Sequence, residues 1–364
     1  MSGKKTPLYD QHMALGGNMV NFGGYLLPTQ YSGIKQEHNT VRTVAGLFDV
    51  SHMGEFFISG QDAQIFLEKV TINDISSLSN GQAQYSAMCY KNGGIVDDLL
   101  VYKREHDFML VVNATNIEKD LNWLQSQVIG DVKIENKSND IGLLALQGPR
   151  SRDILQTLTD TFLINIQYYN FVEGNLGGNK CIISRTGYTG ELGFEIYADS
   201  DKISGIWDGI MAAGKDKGLM PAGLGCRDTL RMEMKYVLYG NDIDETTTPI
   251  EAGLGWITRL GKDDFIGKDA LLKAKSNITR RLVCLKMSER AIPRKGCPII
   301  VDNNIVGEIT SGTMSPSLDE GIGMGYLKEE LTNSGTELLV DIRGRLKAST
   351  VIKPPFYRKG SLID

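Results

Sequence analysis

The run Gly93-Gly94-Ile95-Val96-Asp97-Asp98-Leu99-Leu100-Val101-Tyr102 constrains the fold more than any other stretch. It reads as a β-strand that is apolar on both faces, yet two adjacent acids interrupt it. Aspartate is disfavoured in strands and costly to bury without a partner. Either at least one of the two faces a cleft, or a loop network of hydrogen bonds absorbs it; the spacing alone leaves both open. The run before it, Ala83 to Tyr90, also reads as a strand, and Lys91-Asn92-Gly93-Gly94 between them is a strong hairpin loop. The simplest register sets Tyr90 opposite Ile95, Ala87 opposite Asp98 and Tyr85 opposite Leu100. Alternation then places Tyr85, Ala87, Asp98, Leu100 and Tyr102 on one face and Asp97 on the other. The first face joins a carboxylate, two aromatic rings and a small residue, which is a surface for a flat heterocycle with ring nitrogens.

A chain of 364 residues exceeds what one core holds, so two or three domains are expected. The net charge of −5 excludes general nucleic-acid binding, which needs a basic face. Five cysteines, Cys89, Cys181, Cys226, Cys284 and Cys297, are scattered without a CxxC pair, as in a reducing compartment. The histidines, His12, His38, His52 and His106, form no ligand-spaced cluster, so no metal is expected. No apolar run reaches the ~18 residues of a membrane span. The first residues have neither a signal-peptide apolar region nor a transit-peptide composition, which makes the cytoplasm the default expectation.

In chain order, Ile34 to Ala45 reads as a helix, and Gly46 to Glu55 as strand, tight turn and strand. The glycine pairs at 16–17 and 23–24 lack dinucleotide-binding spacing. Asp49, Ser51 and His52 are too close along one strand to form a Ser/His/Asp triad, and His52 reads as a hydrogen-bonded turn histidine. Helices are expected at 61–71 and 117–128 and a strand at 108–113. Together these make an antiparallel sheet with helices on one side, an α+β layout. A second hairpin-like unit covers 181–197. Its Glu195, near Tyr188 in the turn, is a candidate for holding a ring, although a solvated strand face is the simpler reading. Pro221 to Val237 reads as a helix with Arg227 bordering its apolar stripe and Asp228 paired to Arg231. Residues 248–256 read as a turn leading into a strand. Beyond a short helix at 268–275 come short strands at 282–287, 299–301, 305–310, 337–342 and 348–352, with a hairpin turn at Asp302-Asn303-Asn304. This predicts a separate small antiparallel barrel.

Five collinear stretches carry a resemblance. They are Thr6-Pro7-Leu8-Tyr9, Gly46-Leu47-Phe48-Asp49-Val50-Ser51-His52-Met53-Gly54, the 93–99 run, Ser184-Arg185-Thr186-Gly187-Tyr188-Thr189-Gly190-Glu191 and Ala222-Gly223-Leu224-Gly225-Cys226-Arg227-Asp228-Thr229-Leu230-Arg231. With the closing Lys353-Pro354-Pro355-Phe356-Tyr357 they resemble the T-protein family of the glycine cleavage system. The resemblance implies an α+β fold of three subdomains in a cloverleaf, with antiparallel sheets and a small C-terminal β-barrel. It divides the chain into a folate-binding region at 1–275, holding an inserted subdomain at about 55–137, and a barrel domain at 276–364. It also implies a reaction: the one-carbon unit of an aminomethyl group carried on the lipoyl arm of H-protein passes to tetrahydrofolate. Ammonia, 5,10-methylenetetrahydrofolate and dihydrolipoyl H-protein result.

By the same resemblance Asp98 matches the family's catalytic aspartate and Glu195 its pterin-binding acid. Arg227 matches a position at the folate site, and Met53, Tyr85, Asn113 and Tyr188 match positions that line it. Tetrahydrofolate enters as acceptor substrate, with no metal. The expected partners are lipoylated H-protein and, in a loose complex, the P and L proteins, with no nucleic acid and no membrane. H-protein is expected to dock near Arg290, Arg294 and Lys295. Leu192 departs from the family's usual TGEDG run, and Cys226 from its GLGARD run. The rival reading is a folate-binding iron–sulfur assembly factor of the same fold. It needs a Lys-Gly-Cys-Tyr-containing motif, and Lys295-Gly296-Cys297-Pro298 is not one.

Overall fold

Two antiparallel sheets face one another at the centre of the molecule. The computed structural model describes residues 2–362. One sheet orders the strands Gln82–Cys89, Ile95–Lys103, Phe108–Val112, Gly54–Ser59 and Lys133–Asn136. The other orders Phe171–Leu176, Asn179–Ser184, Gly193–Asp199, Ile141–Gln147, Gly46–Asp49 and the two-residue Met220–Pro221. Their facing surfaces share one apolar cluster, with Ala83, Tyr102, Met109 and Val111 from the first sheet against Phe48, Leu143, Ala145 and Tyr197 from the second. Helices cover the outer faces: Ala63–Val70 and Ile117–Ser126 on the first sheet, Ser151–Leu155 and Ile203–Gly214 on the second. The core is therefore helix, sheet, sheet, helix, each layer burying one apolar face against the next.

The chain then closes a six-stranded barrel from Arg280–Met287, Glu320–Lys328, Asn304–Ser315, Pro298–Val301, Glu337–Asp341 and Leu346–Ile352. The α+β architecture, antiparallel sheets and C-terminal barrel expected from the sequence are present. A small N-terminal sheet of Lys4–Lys5, Tyr25–Pro28 and Met19–Phe22 completes the strands. Among the described residues no helix is long and apolar enough to cross a membrane.

The central hairpin follows its expected register for most of its length, with Ala87 opposite Asp98 and Tyr85 opposite Leu100. It departs at the turn. A bulge between Met88 and Cys89 sets Cys89, not Tyr90, opposite Ile95. The extra residue reverses the alternation, so Ile95 joins the face of Ala87 while Val96 turns to the opposite core. Gly93 has φ +87°, and a Cβ on Gly94 would lie 2.0 Å from the Glu245 carbonyl oxygen. That loop, Asp244 to Thr247, caps the hairpin by accepting the Ile95 N–H.

Two local expectations fail. Residues 248–260 form consecutive turns and no strand, because Gly253 takes φ +77° and the Leu254 N–H folds back to the Pro249 carbonyl. The helix expected over 221–237 is confined to Leu224–Glu233.

Candidate functional site

Asp98 leaves the hairpin strand on the side of Tyr85 and stands half-buried. The Tyr85 hydroxyl donates to its Oδ2 at 2.8 Å, and the Asn113 amide donates to its Oδ1 at 2.9 Å. No backbone turn consumes it. Burial, followed by the negative charge of neighbouring Asp97, pushes its carboxyl up to about 7, against the lowering effect of these two hydrogen bonds. An acid with that proton affinity exchanges a proton near neutral pH.

On the facing sheet, Gly193–Asp199 lies between two strands, and Glu195 is only 6% exposed. The solvated-face reading of Glu195 is thus overturned: both faces of this strand are covered, one by helices and one by the second sheet. Its Oε2 accepts the Thr186 hydroxyl, and among the described residues no donor reaches Oε1. Burial raises its carboxyl, while Thr186 and Arg227 pull it down.

Arg227 projects from the first turns of Leu224–Glu233 toward the same space. Its guanidinium carbon lies 4.7 Å from the centre of the Tyr188 ring, and the charge of Glu195 stabilises its charged form. Among the described residues the guanidinium makes no hydrogen bond to a protein acceptor. The next arginine along, Arg231, is fully spent on Asp228, Asp242, Ser311 and the Tyr236 carbonyl. A half-buried guanidinium with all five N–H groups uncommitted is a binding group for a ligand that accepts hydrogen bonds.

Tyr188 connects the two halves, feeling the charges of Asp98 and of Arg227 and stacking on Tyr236 with centroids 5.5 Å apart. Its hydroxyl donates to the Val237 carbonyl. Met53, in the turn after Gly46–Asp49, is half-buried against the cluster that contains Tyr102 and Tyr197. Asn113 ends its strand, half-exposed beside Asp98. Asp98 is thus joined to Tyr85 and Asn113 by hydrogen bonds, and by charge through Tyr188 to Arg227 and on to Glu195, with Met53 in the neighbouring apolar cluster.

Sequence reasoning missed Trp256. Its side chain is 62% exposed and its ring lies 6.1 Å from that of Tyr85. A large exposed aromatic in a Gly-rich turn was the available signal. It also missed the surroundings of Asp97, taken up below. His52 is not a hydrogen-bonded turn residue: it is buried, its Nδ1 finds no partner, and its ring packs edge-on to Phe22 and Tyr25. Asp49 bonds His12 and Thr6 instead. Arg294 and Lys295 are exposed, near the Gly312 and Gly240 carbonyls, and Arg290 is exposed on the adjoining loop.

The chain is similar throughout to proteins of known class. The family model for the GCVT N-terminal domain matches residues 8–262, and that for the glycine cleavage T-protein C-terminal barrel domain matches residues 280–358. A relative from Halalkalibacterium halodurans, an aminomethyltransferase, is 47% identical over 361 residues, 98% of this chain and 99% of the relative. The aminomethyltransferase of Bacillus subtilis is 48% identical over 360 residues, with 98% and 99% covered. Among solved structures, the glycine cleavage system aminomethyltransferase T of Bartonella henselae superposes with a TM-score of 0.93 at 33% identity, covering 99% of each chain.

Proposed function

The chain belongs to the glycine cleavage T-protein family, and from that membership we propose how its residues divide the work of aminomethyl transfer. The activity is that of an aminomethyltransferase of the glycine cleavage system. The donor is the aminomethyl group on the lipoyl arm of H-protein and the acceptor is tetrahydrofolate. In the balanced reaction the carbon–sulfur and carbon–nitrogen bonds of the donor break. Two bonds form from that carbon to folate nitrogens. The two N–H protons that folate loses end on the departing ammonia and the lipoyl thiol.

The observation that carries the reading is a pair of groups joined to Asp98 through Tyr188 and uncommitted among the described residues: the Oε1 of Glu195 and the guanidinium of Arg227. A reduced pterin offers N–H donors along one edge, which Glu195 accepts in a charge-assisted pair. Arg227 answers acceptor atoms or the anionic glutamate tail. Tyr85, Tyr188 and Trp256 supply flat apolar surfaces, and Met53 and Asn113 complete the lining. Asp98 takes the proton from the attacking nitrogen, held in place by Tyr85 and Asn113. Such a step contributes ~10²–10⁴-fold, and confinement of the two reactants in the cleft supplies the rest. The lipoyl group arrives from H-protein, whose acidic surface is matched by Arg290, Arg294 and Lys295. P and L proteins associate loosely, in the cytoplasm.

The test is ammonia release from aminomethylated H-protein with and without tetrahydrofolate. Asp98→Asn should retain folate binding within about twofold while losing ~10²-fold or more of the folate-dependent rate. Unchanged turnover would remove Asp98 from the reaction.

A further inference from the structure

We propose that Asp120, which has no part in the site described so far, is a positioning residue for the transfer. It carries a proton that it donates to Asp97, and the resulting acid–carboxylate pair fixes one negative charge and the Asn113 amide behind Asp98.

Both carboxyls are completely buried, at 0% exposure. Asp97 is equipped to be the ionised member. Its Oδ1 accepts the Asn113 and Asn116 amides at 2.9 and 2.6 Å, and its Oδ2 accepts the Asn113 backbone N–H at 3.0 Å. Among the described residues Asp120, on the helix Ile117–Ser126, has no donor for either oxygen. Lys119 does not serve it: the ammonium is 3.9 Å from Asp120 Oδ1 and donates instead to the Val96 carbonyl and the Tyr239 hydroxyl. A carboxylate with neither water nor a donor costs several kcal/mol, and a proton removes that cost. The acceptor in contact with it is the Asp97 carboxylate, and two touching carboxyls do not both ionise. Burial first, and then the Asp97 charge, drives Asp120 far above the usual carboxylate range.

The pair reaches Asp98 by two routes. The Asn113 amide nitrogen is 2.9 Å from Asp97 Oδ1, 2.9 Å from Asp98 Oδ1 and 3.1 Å from the Asp98 carbonyl. All three neighbours are acceptors, so the amide presents its NH₂ there and cannot flip. The second route is charge. The titratable groups around Asp98 are Tyr85 from the partner strand, Asp97 from its own, Asp120 from the helix and Tyr188 from a loop, and those around the pair are Lys119, Tyr239 and Tyr90. Of these, the Asp97 charge raises the proton affinity of Asp98.

The catalytic consequence rests on Asp98 being the proton acceptor; the pair itself does not. The experiment is a carboxyl-carbon NMR titration of the full chain labelled at the aspartate side-chain carbons, assigned with Asp98→Asn and Asp120→Asn. In the unmutated protein the Asp120 resonance should stay at its carboxylic-acid position from pH 5 to pH 9. In Asp120→Asn an amide replaces the acid as donor to Asp97, the charge stays, and the Asp98 midpoint should not move. In Asp97→Asn/Asp120→Asn the charge is gone. The Asp98 midpoint should then fall by about one unit or more, and the acid limb of the transfer rate should move down with it.

Three results overturn the assignment: an Asp120 carboxyl that titrates below neutral pH, a midpoint lowered as far by Asp120→Asn as by the double variant, or a double variant that leaves the midpoint in place. The first needs no altered protein to fold beyond those used for assignment. Full transfer activity in Asp98→Asn, together with the expected NMR shifts, would instead reject the role of Asp98 and leave the pair standing.

Discussion

Replacing Tyr85 with phenylalanine isolates one of the two hydrogen bonds that stabilise ionised Asp98. The Tyr85 hydroxyl donates to Asp98 Oδ2 at 2.8 Å, and among the described residues no other side chain donates to that oxygen. A hydrogen bond to a charged group contributes about 1.5–3 kcal/mol. Asp98 is half-buried, so water takes up part of the loss, and the low end applies. About 1.4 kcal/mol is one pKa unit. The bond favours the carboxylate, so its removal raises the carboxyl, from about 7 to ~8.

The acid limb of the folate-dependent rate then moves up by about one unit. At pH 7 the carboxylate fraction drops from roughly one half to roughly one tenth, a rate loss of about fivefold, while at pH 9 the two enzymes agree to within about a tenth. The ring of phenylalanine still packs beside Trp256, so folate affinity and the unfolding midpoint should change little. The assay is single-turnover transfer from aminomethylated H-protein between pH 5.5 and 9. A loss of equal size at every pH would mean that the hydroxyl serves folate directly, and the reasoning about Asp98 would fail.

Other outcomes follow from buried charge. Glu55 is 1% exposed with both carboxyl oxygens unpartnered, and burial raises it well above its ordinary value. A group raised on folding contributes its stability below the unfolded value and loses it as pH climbs through the folded one. The Glu55→Gln variant should therefore gain on the native protein between pH 5 and 8, by about 1.4 kcal/mol for each unit of the shift, and parallel urea midpoints would contradict this. Arg42 pairs at 2.7 Å with both Glu191 and Glu233, all three side chains being 5% exposed or less. Arg42→Ala should cost about 3–5 kcal/mol of unfolding free energy by leaving two buried carboxylates short of a partner. Lys35→Ala, which loses only the exposed contact to Asp319 at 3.9 Å, should be silent in the same denaturation assay.

What the sequence disclosed depended on how local the cause was. The hairpin at 82–103 was legible because its loop and its alternation are written in adjacent residues. Its bulge was not, because the loop Asp244 to Thr247 imposes it from 150 residues away in sequence. Glu195 misled because alternation with apolar neighbours is the mark of a half-solvated strand, whereas here both faces of the sheet are covered. The barrel strand Glu320–Lys328 went unread since Gly321, Gly323 and Gly325 depress its propensity. Two of them are required by distant backbone: a Cβ on Gly321 would lie 1.9 Å from the Ala291 carbonyl oxygen and one on Gly325 2.5 Å from that of Glu308. The helix Ile203–Gly214 was passed over although Ile206, Trp207 and Ile210 mark its buried face. Asp120 gave no sign, since an acid early in a helix is ordinary at its N-terminus and its partner lies on a strand.

The site residues come from segments that meet on one shared apolar cluster but lie far apart in the chain. Tyr85, Asp98 and Asn113 belong to the hairpin sheet, Tyr188 and Glu195 to the other, Arg227 to a helix between them, and Trp256 to the turns that lead to the barrel. Apolar packing brings the two sheets and the Arg227 helix together but sets no fixed orientation, since it is not directional. Directional contacts fill that gap. Arg42 ties the helix Ile34–Thr43 to Glu191, three residues after Tyr188, and to Glu233 at the end of the Arg227 helix. Glu233 in turn accepts Ser315 and Ser317 of the barrel. Arg231 binds Asp242 and Ser311. Such buried ionic links contribute little net stability compared with apolar substitutes. Their value here is geometric: they fix the Arg227 helix against the Tyr188 segment and the barrel, and so the relative places of the groups proposed to hold folate, which confinement of two reactants demands.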